Sequence, residues 1–136
     1  MLEEYALQKY YQATGLTAGV TYAFKVETRN ENGHSDYSEP VSILCATVPD
    51  TPAQPSTTVI GNQVVFNWDT PVDNGLPVLG YNVYIRQFDL VYITDRTICD
   101  GQELTVIQNT ECTVPLDRLS ALPYFLQLGH KIYIKV

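Results

Sequence analysis

The sequence is short of positive charge and of long apolar runs. It has 8 Lys and Arg against 15 Asp and Glu, which gives a formal net charge of −7. Binding to a phosphate backbone or to an anionic lipid surface needs clustered positive charge, so we expect no nucleic acid partner. Since no apolar run approaches the roughly 20 residues of a membrane-spanning helix, we also expect no membrane insertion.

The sequence also lacks the motifs that carry catalysis or hold a cofactor. It has no glycine-rich phosphate loop, nucleophile elbow or metalloprotease helix motif. Its cysteines and histidines are too scattered for a zinc site. Asp69, Asp73 and Asn74 cluster in one loop and could offer oxygen ligands to calcium, but turns favour these residues for their own backbone bonding. We therefore predict a non-enzymatic chain with no catalytic residue, cofactor or metal.

The residues that are present indicate an all-β fold. Hydrophobic residues make up 45% of the chain and charged residues 17%, and Tyr occurs 10 times. Tyr22, Phe24 and Val26 alternate with polar or small residues, which is typical of a strand with one buried face, so Phe24 and Val26 are predicted core residues. A turn signal at 30–33 and an extended stretch at 37–44 predict a hairpin over residues 20–45.

The second half of the chain follows a proline-rich segment at 48–55, which we interpret as a linker. Two alternating stretches after it predict strands at 64–68 and 81–85, with four core residues: Phe66, Trp68, Tyr81 and Val83. Residues 88–98 and 104–114 are predicted to be extended, and the leucine spacing at 116–122 predicts one or two helical turns. Ile132, Ile134 and Val136 alternate in a last predicted strand.

Residues 16–26 and 126–136 share Leu, Gly, Lys and Val at identical spacing, which indicates an internal repeat. The stretch 16–26, followed by Asn30, Gly33, Ser35 and Ser38, resembles strand F and its neighbouring turns in the fibronectin type III family. Later segments are similar to that family's strand A entry, strand B with its core Trp, B–C loop and strand C: 52–55, 64–68, 71–75 and 80–86. The resemblance covers nearly the whole chain and implies tandem immunoglobulin-like β-sandwiches.

The resemblance also implies a domain organisation in which both units are incomplete. Residues 1–47 correspond to strands E, F and G of one sandwich, residues 48–55 to the linker, and residues 56–136 to a second sandwich without strand G. Tyr22 matches the tyrosine-corner residue, whose hydroxyl bonds back to the chain. Ile132 stands at that position in the second unit, which further resembles a variant repeat of long surface or secreted repeat proteins of protists.

The cysteines leave two interpretations open. Cys99 and Cys112 flank a predicted turn and could face each other across adjacent strands, where a disulfide would contribute roughly 3 kcal/mol. They could equally be two thiols in a reducing compartment, and Cys45 is unpaired in both cases.

We expect a structural or adhesive repeat segment of a larger, multi-domain or fibrous protein at the cell surface or outside the cell. Since the first residues have no signal-peptide pattern, a secreted parent would begin before Met1. Its partners would be neighbouring domains or other chains, including self-association by strand addition along Ile132, Ile134 and Val136. Outward tyrosines offer a second contact surface: Tyr84, Tyr92 and Tyr133. The alternatives are an intracellular scaffold or binding module on a cytoskeletal or ciliary assembly, and a spacer of a secreted carbohydrate-active enzyme.

Overall fold

A computed structural model of the chain describes residues 9–127 and 129–136, and its ordered elements are mostly short antiparallel strands. The protein is therefore all-β in class. Its contacts divide it into two compact units. The first unit comprises Met1–Val48 with Asn74–Leu76, and the second comprises Pro49–Asp73 with Pro77–Val136.

The first unit is built on a long hairpin, as the alternation predicts. Its strands are β1 (Thr21–Phe24), β2 (Arg29–Asn30), β3 (Gly33–His34) and β4 (Val41–Leu44). β1 pairs with β4, with Thr21 opposite Leu44, and β2 pairs with β3 near the tip. Gly33 has a φ of 136°, a conformation that a residue with a Cβ rarely adopts, which explains glycine at this turn.

Two expectations for the first unit differ from the structure. Phe24 is only half-buried and Val26 is 69% exposed, so Val26 is not a core residue. The physical reason is that, within residues 9–48, no second sheet covers the β1–β4 pair, and alternation buries a side chain only where another layer packs on it. Residues 9–20 contain no strand, and the remainder of the expected strand E falls on residues 1–8, outside the described residues.

The second unit contains two three-stranded antiparallel sheets. Its elements are β5 (Ser56–Ile60), β6 (Gln63–Asn67), β7 (Tyr84–Arg86), β8 (Tyr92–Thr94), α1 (Leu104–Asn109), β9 (Glu111–Pro115), α2 (Leu116–Ser120) and β10 (Ile134–Lys135). One sheet has the order β5-β6-β9 and the other has the order β10-β7-β8. β5 and β6 form a hairpin, whereas β9 and β10 join their sheets from distant parts of the sequence.

Side chains from both sheets of the second unit form one hydrophobic core. The largest fully buried side chains are Tyr124, Phe66, Ile85, Leu119, Val64 and Val114. The structure also buries Trp68, Tyr81 and Val83, and the Trp68 and Tyr81 rings meet edge to face with their centroids 5.2 Å apart. Edge-to-face aromatic pairs contribute about 0.5–1.5 kcal/mol beyond the burial of their area.

The segment 104–114 was expected to be extended, and this prediction was wrong for its first half. Residues 104–109 form α1, in which Val106 is the buried residue. Thr110 ends the helix with a φ of 51°, and its amide donates to the Val106 carbonyl at 2.8 Å. Because a six-residue helix with one buried side chain has no apolar period, its sequence gives no helical signal. The helical turns predicted at 116–122 are present as α2.

The strands at 80–86 and 132–136 are shorter than expected. Only Tyr84–Arg86 and Ile134–Lys135 enter the hydrogen-bonded ladder. Tyr81 and Val83 lie before this ladder, but both are still buried. The Tyr81 amide donates to the Gly101 carbonyl at 2.9 Å, which ties the start of this stretch to a neighbouring loop. Gly101 is required there, because a Cβ would lie 3 Å or closer to backbone atoms of Tyr81.

Candidate functional site

A disulfide joins Cys99 to Cys112 in the second unit. Their Cα atoms are 5.7 Å apart, they are separated by 13 positions in sequence, and both side chains are buried. Cys112 lies on β9 opposite Phe66 of β6, so the bond anchors the segment that carries α1 directly to the core. Cys45, in the first unit, is a half-buried free cysteine.

A hydrogen-bond network centred on Asp95 supports the same region. One carboxylate oxygen of Asp95 accepts from the Thr97 hydroxyl at 2.6 Å and from the Thr97 amide at 3.0 Å. The other accepts from the Tyr124 hydroxyl at 3.2 Å, and the Arg118 guanidinium donates to the Thr97 hydroxyl at 3.3 Å. The network therefore connects the turn after β8 to α2 and the residues that follow it.

The network shifts the pKa values of two of its members in opposite directions. The hydrogen bond from the Thr97 hydroxyl lowers the pKa of Asp95, because it favours the ionised carboxylate. Burial, with a smaller contribution from the Asp95 charge, raises the pKa of Tyr124, so its hydroxyl remains a donor. Tyr124 was missed by the sequence reasoning, since it lies in a segment of Leu and Pro without any strand or helix period.

An open cavity of about 300 Å³ lies beside the disulfide. Its lining includes Arg96 and three carboxylates, those of Asp100, Glu103 and Glu111. Within residues 9–127 and 129–136, no group of three His, Cys, Asp or Glu side chains is placed to hold a metal ion. The described part of the chain also contains no helix long and apolar enough to cross a bilayer.

Asn74, one of the loop residues considered as oxygen ligands, shapes the backbone of its loop. Asn74 adopts a left-handed φ of 54°, and its side-chain amide donates to the Val48 carbonyl at 3.0 Å. A left-handed φ and a side-chain hydrogen bond to the backbone are both typical of a residue that shapes a turn. A pairing absent from the sequence reasoning is that of His34 with Glu27, whose nitrogen and oxygen are 3.2 Å apart across the hairpin.

Tyr22 bonds back to its own hairpin. Its hydroxyl accepts a hydrogen bond from the Thr17 amide at 2.9 Å, five residues earlier in the chain. The Gly19 amide donates to the Cys45 carbonyl at 2.7 Å in the same turn region. These two bonds fix the turn that leads into β1.

β10 has one paired side and one open side within the described residues. Arg86 donates its amide to the Tyr133 carbonyl at 3.0 Å, and Ile134 lies opposite Ile85. In an antiparallel ladder, hydrogen-bonded and non-hydrogen-bonded pairs alternate, so the backbone N–H and C=O of Ile134 point away from β7. The side chains of Ile132, Ile134 and Val136 pack against the core, and it is the backbone that forms the open edge.

The outer face of the β10-β7-β8 sheet carries interleaved tyrosines and cations. We call it the tyrosine–cation face, and it consists of Tyr84, Arg86, Tyr92, Tyr133 and Lys135. The Arg86 guanidinium carbon lies 3.7 Å from the centre of the Tyr133 ring, and the Lys135 ammonium lies 4.1 Å from the centre of the Tyr92 ring. The three tyrosines were expected to point outward, whereas their pairing with cations depends on strand register.

No protein-family model matches the chain. Among curated proteins, it is similar to a Kelch domain-containing protein of Saccharolobus solfataricus, with 35% identity over 77 residues. This alignment covers 56% of the chain, and the chain spans 11% of the length of that relative.

Proposed function

We propose that this chain is a non-catalytic structural or adhesive segment of a larger protein, built from immunoglobulin-like β-sandwiches of the fibronectin type III kind. The observation that carries the proposal is the strand order of the second unit. Its sheets have the orders β5-β6-β9 and β10-β7-β8, and these orders are compatible with the A-B-E and F-C-C′ sheets of such a sandwich. Both sheets contribute to one core, as the two layers of a sandwich do.

The first unit supports the same proposal through local geometry. The hydrogen bond from the Thr17 amide to the Tyr22 hydroxyl has the form of a tyrosine corner, in which a strand tyrosine bonds to backbone a few residues upstream. A β1–β4 hairpin with this bond fits strands F and G of such a sandwich. The relative's greater length fits a segment of a larger, multi-domain protein.

The disulfide supports an extracellular or cell-surface location. Outside hyperthermophiles, disulfides form and persist in oxidising compartments and are rare in the cytosol. The Cys99–Cys112 bond lies in the core beside β9, where it stabilises the fold. A structural role outside the cell therefore accounts for it better than a scaffold in the cytoplasm.

The open edge of β10 supports strand addition as the way in which partners bind. The Ile134 N–H and C=O groups are free to pair with an extended segment of a neighbouring domain or of another chain. A segment that adds there would also bring alternate side chains next to Ile132 and Val136 and extend the core. Self-association by the same route is part of the proposal.

The compartment is tested by thiol alkylation of the protein purified from its native source. Under denaturing, non-reducing conditions, we expect one alkylated cysteine, Cys45, and a linked peptide pair that contains Cys99 and Cys112. Reduction before alkylation provides the control, in which all three cysteines must be labelled. Three labelled cysteines without reduction would count heavily against an extracellular role.

A further inference from the structure

The outer face of the β10-β7-β8 sheet has a composition unlike that of the rest of the chain. Besides the tyrosine–cation face itself, the paired strands place the side chain of Thr94 on this side of the sheet. None of these six residues is acidic, although the chain contains 15 Asp and Glu. Two of the chain's 8 Lys and Arg, Arg86 and Lys135, therefore lie together among side chains that include no carboxylate.

The cations of this face are held in place by aromatic rings. Arg86 lies over Tyr133 and Lys135 over Tyr92, at separations where cation–π attraction contributes about 0.5–1 kcal/mol at exposed sites. Within the part of the chain that the structure describes, neither cation forms an ion pair with a carboxylate. A guanidinium that stacks on a ring keeps the N–H groups at its edge available for hydrogen bonds. The rings therefore orient both cations, while their charges are not neutralised by a carboxylate of the described residues.

These groups make the face rich in hydrogen-bond donors. A guanidinium and an ammonium only donate, and a tyrosine hydroxyl can donate as well as accept. The matching ligand is therefore rich in acceptors and negatively charged. We propose that the tyrosine–cation face docks a polypeptide surface that carries carboxylates, with Asp or Glu side chains received by Arg86 and Lys135.

A polypeptide fits this face better than an acidic sugar chain does. Sugars bind aromatic side chains by stacking on bare ring faces, and here the rings of Tyr92 and Tyr133 are each covered by a cation. Tyrosine and arginine are the residues enriched at the energetic centres of protein–protein interfaces.

The proposal does not depend on the tandem-sandwich function, because the face is a property of one sheet. It is tested with the full chain and poly-L-glutamate as the probe, by titration calorimetry at two NaCl concentrations. We expect saturable binding that weakens as salt increases. The variant Arg86→Ser with Lys135→Ser should bind about tenfold more weakly, since it removes two charge-assisted contacts.

A matched control separates the face from net charge. Lys9→Ser with Lys25→Ser makes the same change in charge at two exposed residues of the first unit, and its affinity should stay within about twofold of the parent. Unchanged Trp68 fluorescence shows that the second unit remains folded. If the double variant does not fold, Lys135→Gln alone replaces it, with an expected weakening of about threefold.

Three outcomes would overturn the proposal. The first is no saturable binding of poly-L-glutamate by the parent protein at low salt. The second is equal weakening by the face variant and the matched control, which would indicate general electrostatics. The third is tighter binding of polygalacturonate than of poly-L-glutamate with the same sensitivity to Arg86 and Lys135, which would make the ligand an acidic polysaccharide.

Discussion

Removal of the Cys99–Cys112 bond should destabilise the second unit by a predictable amount. The perturbation is the double variant Cys99→Ala with Cys112→Ala. With a separation of 13 residues, the loss of loop-closure restraint on the unfolded chain corresponds to about 3 kcal/mol. For a unit of roughly 85 residues, each kcal/mol shifts the melting temperature by about 4–8 °C, so we expect a fall of about 15 °C.

The chain offers a specific optical probe for this measurement. Trp68 is the single tryptophan, and it is buried in the core of the second unit, so its fluorescence follows the unfolding of that unit. Urea titrations of the parent and the double variant give the two free energies of unfolding. Cys45→Ala is the matched control, because it removes a free thiol from the first unit and should leave the Trp68 transition unchanged.

A third sample separates the crosslink from the packing of the sulfur atoms. Chemical reduction of the parent protein breaks the bond but leaves both thiols in the core. If the loop restraint dominates, the reduced parent and the double variant should lose similar free energy. A loss below about 1 kcal/mol in both samples would refute the reasoning, because the bond would then contribute little to the folded state.

Three further predictions concern other parts of the chain. Because the pKa of Asp95 is lower in the folded state than in the unfolded chain, its contribution to stability is present above about pH 4 and is lost as pH falls through the folded pKa. Asp95→Asn should therefore flatten the acid dependence of the Trp68 transition, whereas a slope equal to that of the Asp89→Asn control would contradict this. Tyr22→Phe should reduce the stability of the first unit by about 1 kcal/mol and lower the hydrogen-exchange protection of the Thr17 amide, and unchanged protection would argue against the bond. Finally, the recombinant chain should self-associate in sedimentation experiments, or melt without a cooperative transition because it is partly disordered, since the β10 edge is open. A monodisperse monomer that unfolds cooperatively would exclude strand addition between copies.

Alternation predicted those strands that have one buried and one exposed face. β6 is such a strand, since Val64 and Phe66 are fully buried and the residues between them are not. The same pattern at Tyr22, Phe24 and Val26 correctly predicted strand β1 but wrongly predicted that Val26 is buried. Burial depends on a second layer of structure, about which a local sequence pattern carries no information. Local sequence therefore specifies a strand and its two faces, while tertiary packing decides what covers them.

The features that local patterns could not predict depend on residues far apart in sequence. Tyr124 meets Asp95 across 29 positions, and Lys135 reaches the ring of Tyr92 from a strand two places away in the same sheet. The contact of Lys135 follows from the register of β10 on β7, which a ladder of two residue pairs defines. α1 was missed for a different reason, since a short exposed helix needs no periodic sequence.

The disulfide has a consequence for how the surface of the second unit can vary. The segment between its two cysteines is also tied to the core at each end, by the Gly101 carbonyl to the Tyr81 amide and by the Thr110 carbonyl to the Trp68 amide. When the two ends of a loop are fixed, doubling its length adds only about 0.6 kcal/mol of closure entropy. Residues 102–109 thus form an insert whose exposed positions can carry new sequences while both sheets keep their pairing, provided that an apolar side chain at Val106 still fills its place in the core.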